Sequence, residues 1–478
     1  MSAKSGGLDL SIVGTGDKRR LRVLAPSSLA LRDFEGTADE ATEGTILEGP
    51  LSPANAAAVR AHVPWLKPQP IGLHTSAGLG DRLGLATPGH VRAFRLYGAG
   101  IVPVFAQQSI REMDRLERSP QQVMDDATFG CLQSGWDSKI GADADHLKTT
   151  GEIDRCLAAG FTLFTLDPGE HVRDVPTVVS ETAVANLPWH DLEDDAESMT
   201  RRYAGLILEV GDVPLRVDAD EIRRAAAKYG AAVAYTVKMY RHLIDRAQYP
   251  VEVEVSVDET EEPTTFAEHI YMGTEMKRLG MEWVSFAPRY VGGFEKGVEY
   301  IGDRDVLFQS LVGHSHIAQA LGPYKISLHS GSDKFSIYEL AATATGRLVH
   351  LKTSGTSYLE ALTIAASYAP TLFREIYEVS REAYRGARTS YQVSAQLERA
   401  PASGDVSDEQ LIALMASFDS RQILHVGYGA VLTSEDEHGS RWLSDSLRSL
   451  LALHSPEYES ALETHLGRHL QPFAEKET

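Results

Sequence analysis

Tyr324-Lys325-Ile326-Ser327-Leu328-His329-Ser330-Gly331-Ser332-Asp333-Lys334-Phe335-Ser336-Ile337-Tyr338 is the stretch on which the fold is read. Its first half is a strand: Lys325, Ser327 and His329 alternate with Ile326 and Leu328, a period of two. Its second half is a polar loop. Gly331 permits a tight turn there, and Ser330, Ser332, Asp333 and Lys334 bring hydroxyl, carboxylate and ammonium groups together. An apolar strand with a polar cluster at its carboxyl end is how a parallel barrel presents its chemistry. One such segment is equally a solvated turn after a buried strand. Repetition decides between the two.

Working outward, the same text recurs. Ile71 to His74 is a short apolar run before a Gly-rich loop, Ser76 to Gly84. Ile101 to Ala106 ends at Gln107 and Gln108, Ile140 runs to His146, and Thr162 to Leu166 ends at Asp167. Val251 to Val257 alternates strictly and ends at Asp258 and Glu259; Glu282 to Ala287 ends at Pro288 and Arg289. The opening stretch is the seventh strand, and Arg347 to Leu351, ending at Lys352 and Thr353, is the eighth. Helical text separates many of them, at Pro88–Tyr97, Thr150–Ala159, Phe266–Leu279 and Asp303–Leu321. Eight strands alternating with helices predict a parallel sheet closed as an α/β (β/α)8 TIM-like barrel. A doubly wound open sheet is the runner-up, but its phosphate-binding glycine fingerprints are missing from the strand ends.

The rhythm breaks over residues 170–249, which read as a largely helical insertion after strand four, from Asp194 to Val210 and from Asp218 to Arg246. Asp218 with Glu221 three residues later is a capping box. The insertion is expected to cover the site or to form an oligomer contact. Residues 1–66 form an N-terminal extension in which Leu21, Val23 and Leu24 suit one strand and Glu35 to Glu43 an acidic loop. The barrel is expected over 67–360, and 361–478 is a helix-rich C-terminal extension where Leu424 to Gly429 reads as a strand or a loop.

Composition narrows the function. The chain has 478 residues, 43% hydrophobic, enough for a large core, and one elaborated barrel suffices because barrels exceed ~400 residues with insertions. With 67 acidic against 46 basic residues the net charge is −21, which argues against nucleic acid or anionic membrane as a partner. The two cysteines, Cys131 and Cys156, form neither a metal-site spacing nor a disulfide framework, which suits the cytoplasm. The segment Met1 to Asp9 lacks an apolar signal core, and no stretch approaches the ~20 apolar residues of a membrane span.

The strand ends supply the chemistry: His74 and Ser76, Gln107 and Gln108, Asp145 and His146, Asp167, Asp258 and Glu259, Arg289, His329 with Ser330 and Lys334, and Lys352 with Thr353. Imidazole with carboxylate binds a divalent cation of the zinc, manganese or nickel type. His146 and His329 are the first ligands; Glu295 is taken as the third, with Glu259 and Asp258 competing. His314 and His316 lie late in the helix before strand seven, toward the opposite barrel face. Asp145 and Glu259 are placed to flank a small substrate as base and acid. Arg289 and Lys352 suit a substrate carboxylate, with Ser330 and Lys334 as further substrate-binding groups.

Four stretches then resemble one family: Gly141 to Lys148, Val257 to Thr265, Ala287 to Gly297 and the opening stretch resemble the tagaturonate/fructuronate epimerases. The resemblance covers residues 70–360 and is expected to continue to the C-terminus; the first 60 residues carry no matching motif. It implies a metal-dependent isomerase interconverting D-tagaturonate and D-fructuronate at C4 in hexuronate catabolism. It also implies catalytic roles near Asp145 and Glu259 and a metal around His146 and His329. Because the C4 proton of a 2-ketohexuronate is not α to the carbonyl, retro-aldol cleavage of C3–C4 is the expected route. No nicotinamide fingerprint supports oxidation at C4. The rival readings are another metal-dependent sugar isomerase or aldolase, such as a ketohexose 4-epimerase, and a non-catalytic sugar-acid sensor. A homo-oligomer is compatible with all of them.

Overall fold

The computed structural model describes residues 1–176, 180–210 and 213–475. The chain opens with a five-stranded antiparallel sheet: β1 (Ser2–Ser5), β2 (Leu8–Val13), β3 (Arg20–Ala25), β4 (Thr37–Ala41) and β5 (Gly44–Gly49), in the order β1-β2-β3-β5-β4. The single strand expected at Leu21 to Leu24 is β3. The acidic segment read as a loop contains β4, an edge strand whose side chains are almost all exposed, so it carries no apolar signal. The sheet packs on the helix Pro120–Gln133.

Eight parallel strands then close a barrel: β6 (Ser76–Leu79), β7 (Val102–Ser109), β8 (Gly141–Leu147), β9 (Leu163–Leu166), β12 (Glu252–Ser256), β13 (Ser285–Ala287), β14 (Lys325–Leu328) and β15 (Val349–Thr353). β15 pairs with β6, which closes the cylinder. The first strand is Ser76–Leu79 and not the Ile71–His74 run. That run lies outside the barrel strands, where the N–H groups of Ile71 and Gly72 donate to the Glu252 carboxylate at 2.6 and 2.7 Å. His74 is exposed there.

The crossover helices begin where side-chain caps stop the backbone from continuing extended. Thr149 with Glu152, Asp218 with Glu221 and Thr265 with Glu268 are complete capping boxes. The segment after β9 is less helical than expected, because it holds a hairpin, β10 (Ile207–Val210) and β11 (Val213–Arg216). The long helix Ala219–Arg246 packs between the helices Thr150–Ala159 and Phe266–Arg278, as a barrel crossover does.

The C-terminal region is helical, and Leu424 to Gly429 is not a strand: Phe418–Val426 and Tyr428–Thr433 are helices. The helix Ser455–Leu470 lies along Thr87–Tyr97. Gly89 makes that approach possible, since a Cβ there would meet Leu462 at 2.6 Å.

All barrel strands are buried on both faces, so their alternation separates lumen from helix layer. Ile326, Leu328, Val349 and Leu351 belong to the apolar core. Lys325, Ser76 and His350 meet across the lumen, with Lys325 Nζ donating to Ser76 Oγ at 3.1 Å and Ser76 Oγ 2.8 Å from His350 Nδ1. The lumen is therefore a polar column with the candidate site at its carboxyl-end mouth.

Candidate active site at the barrel mouth

β8 contributes two consecutive residues to the mouth. A strand normally sends neighbours to opposite faces. Here the β8–β9 register shifts between Ala144 and Leu147, and His146 takes φ 54°, so Asp145 and His146 both reach the site. A non-glycine residue in the left-handed region costs on the order of 1–3 kcal/mol, which the surrounding contacts must outweigh.

The two imidazoles face each other. His146 Nε2 is 3.2 Å from His329 Nδ1, and Asp258 Oδ1 lies 3.2 Å from that Nδ1 and 3.9 Å from the Nε2. Each ring's other nitrogen is backed by a carboxylate: His146 Nδ1 by Asp167 at 3.2 Å, His329 Nε2 by Glu254 at 2.6 Å. Asp145, His146 and His329 offer ligand atoms within 4.8 Å of one another, as do His146, Asp167 and Glu259.

Beneath them Lys352 is a clamp. Its Nζ lies 2.8 Å from Asp143, 2.8 Å from Asp145 and 2.7 Å from Glu254, and it donates to Thr165 Oγ1 at 2.6 Å. The ammonium expected to read a substrate carboxylate is thus surrounded by carboxylates of the protein itself. Gln107 Nε2 donates to the second oxygen of Asp145 at 3.2 Å.

Charge fixes the protonation states. Burial alone would raise the Asp145 pKa; Lys352, then His146 and His329, outweigh it and hold the carboxyl below its usual range. Burial would lower His146, yet Asp145, the Asp167 hydrogen bond, Glu259 and Asp258 push it up to about 10. His329 is also raised: Asp258 and Glu254 overcome burial and Lys352. The acidic surroundings thus favour positive charge at the two rings.

The remaining expected residues divide. Glu259 is at the mouth, its side chain 30% exposed and paired in two places with Arg111, at 2.7 and 3.3 Å. Arg289 is at its edge, within electrostatic reach of Asp258, with Nη1 donating to the carbonyls of Tyr290 and Gly292 at 3.2 and 3.3 Å. Ser330 turns the chain with φ 49° just past His329. Lys334 points away: its Nζ donates to the carbonyls of Glu295, Val298 and Ser332, which occupies it fully. Glu295 is not brought to the imidazoles, because its carboxylate accepts from Ser394 and Gln422. His314 is a core residue, 3.0 Å from His269 and edge-on to Phe266.

Asp143, Glu254, Thr165, Arg111 and Lys296 were not singled out in the sequence. A signal existed for Glu254: Val-Glu-Val-Glu-Val in a strand that a barrel buries on both sides must send its glutamates into the lumen.

A model of the tagaturonate epimerase family, UxaE, matches residues 10–473. The chain belongs to this family. The tagaturonate/fructuronate epimerase of Thermotoga maritima is 39% identical over 416 residues, which is 87% of this chain and 84% of that one. Crystal structures of the fructuronate-tagaturonate epimerase UxaE of Cohnella laeviribosi, native and with glycerol, superpose with TM-scores of 0.90 and 0.91 at 34% identity. They cover 99% of this chain and 95 to 96% of those. Membership in the tagaturonate epimerase family makes the chain a carbohydrate epimerase, an isomerase, and the barrel is the family's fold. The family match begins inside the N-terminal sheet, where the sequence offered no motif. Among the described residues no helix is long and apolar enough to cross a membrane.

Proposed function

We propose that the protein is a metal-dependent epimerase interconverting D-tagaturonate and D-fructuronate at C4 by retro-aldol and aldol steps. The observation that carries the metal is the pair of facing imidazole nitrogens, 3.2 Å apart, each ring backed by its own carboxylate. Ligating histidines use that backing to fix tautomer and ring orientation. His146, His329 and Asp258 would hold a divalent cation of the zinc, manganese or nickel type, with Asp258 replacing Glu295 as third ligand. When bound, the cation supplies Lewis-acid stabilisation for negative charge developing on the C2 and C3 oxygens.

The chain's own groups handle the protons. Asp145, kept ionised by Lys352, takes the proton of the C4 hydroxyl. The C3–C4 bond breaks, its electron pair forming an enediolate over C2 and C3 while C4 becomes an aldehyde. The aldehyde turns, the pair returns to its other face, and Glu259, held by Arg111, relays a proton from solvent to the new C4 oxygen. Asp145 returns its proton to solvent, so the protein ends as it began. NMR of the purified protein with D-tagaturonate and a panel of divalent cations tests this: D-fructuronate must appear only with metal. Turnover in a verified metal-free preparation would refute the metal, and formation of any other sugar acid would refute the reaction.

A further inference from the structure

The loop after β13 is fastened on both sides of Lys296. Glu295 Oε2 accepts from Ser394 N, Ser394 Oγ and Gln422 Nε2 at 2.9, 2.8 and 2.7 Å. The carbonyl of Glu295 accepts from Lys334 Nζ at 2.7 Å, and that of Gly297 from Arg421 Nε at 2.6 Å. The carbonyl of Val298 accepts from Lys334 as well. Between these anchors stands half-buried Lys296, whose ammonium makes no hydrogen bond or ion pair among the described residues. Its charge is within electrostatic reach of Glu259, Asp258 and Glu112, and of Arg111.

Each of those carboxylates already has a partner. Glu259 has Arg111 at 2.7 Å, Glu112 has Arg82 at 3.0 Å, and Asp258 has His329 at 3.2 Å. Lys296 is thus a cation with no hydrogen-bond partner among the described residues, on an anchored backbone and within electrostatic reach of the mouth's carboxylates. Its placement is costly: burial, then Arg111, lowers its pKa. An arriving anion relieves that cost.

We propose that Lys296 receives the carboxylate of the substrate and sets the preference for an acid sugar over a neutral one. The inference rests on the epimerase reading. In a 2-ketohexuronate the C6 carboxylate stands next but one to C4, and Lys296 is within electrostatic reach of Glu259 and Asp258, the groups assigned to C4 and to the cation. Lys334 and Glu295, which the sequence assigned to substrate and metal, anchor the backbone on either side of Lys296.

The test compares D-tagaturonate with D-tagatose, its neutral counterpart, on the metal-loaded protein. Lys296→Met should lower kcat/KM for D-tagaturonate roughly ten- to a hundredfold, mainly through KM, the worth of a charge-assisted hydrogen bond. D-tagatose, followed by turnover or as a competitive inhibitor, should change less than about twofold, because it has no anion to lose. Lys296→Arg should keep part of the preference. Metal content and Tm should stay parental, since Lys296 makes no hydrogen bond or ion pair among the described residues. Equal losses on both sugars, or an unchanged uronate KM, overturn the proposal. Parent protein that leaves D-tagaturonate untouched with every cation refutes the epimerase reading instead, and that is read before any variant is compared.

Discussion

Replacing Lys352 with methionine tests whether the lumen is held together by one ammonium. The side chain is 4% exposed and lies against Asp143, Asp145 and Glu254. Removing one partner of a buried ion pair costs about 3–5 kcal/mol, because the other charge stays buried and unpaired. An unfolding entropy of ~2.1 cal/mol/K per residue gives about 1 kcal/mol/K for 478 residues, so Tm should fall by about 3–5 °C. The pH dependence should weaken. In the parent, Asp145 and Glu254 are held below their ordinary pKa values, so their stabilisation is present above those values and is lost as pH falls through the folded ones. In Lys352→Met, only the histidines are left to offset burial, so the same carboxyls rise and less stability is gained as pH rises. The deficit should be largest at pH 7–8 and shrink toward pH 5. Calorimetry in chelator, where bound metal adds nothing, measures it. Turnover of D-tagaturonate and D-tagatose should fall together. A Tm within about 1 °C of the parent, or a loss confined to the uronate, would show that Lys352 is not the clamp.

Three further outcomes follow from the mouth. His329→Ala should lower metal content in elemental analysis and abolish turnover, whereas parent treated with chelator should recover on adding a divalent cation. Metal binding to the apo protein should release protons, because His146 is raised to about 10 and must lose its proton to ligate. Affinity should therefore strengthen as pH rises from 6 toward 9, and calorimetry in buffers of different ionisation enthalpy counts the protons. Glu259→Gln should keep metal and fold and lose about 10²–10⁴ in rate, while substrate deuterated at C4 should keep its label in ordinary water. Washed-out label would refute the retro-aldol route, and near-parental Glu259→Gln would leave that carboxylate a mere partner of Arg111.

The sequence showed the barrel because seven of its strands carry apolar residues at the required period. β6 escaped, since Ser76-Ala77-Gly78-Leu79 has no β-branched residue and Ile71 to His74 looked more strand-like. The facing histidines and Asp145 were legible as strand-end groups. Lys334, Lys352 and Glu295 have partners that the sequence did not announce, for a common reason. Residue type announces a charge but not its partner, and each charge here meets residues distant in the chain: Lys352 is 207 positions from Asp145, and Glu295 is 127 from Gln422. Lys296 was invisible for the converse reason. A lysine in a polar loop is ordinarily solvated, and only the folded loop reveals that each neighbouring carboxylate already has a partner of its own.

The fastening of the mouth from the C-terminal helices bears on how the protein is made. A ribosome completes all eight barrel strands by Thr353. At that moment Asp333, beside the strand that carries His329, still waits for Arg421 and His465, and Glu295 waits for Ser394 and Gln422. The nascent chain therefore holds every group proposed for the reaction before it can aim them. Competence arrives with the final helices, and a frameshift soon after Thr353 would leave a chain with its reactive residues intact and its substrate unread.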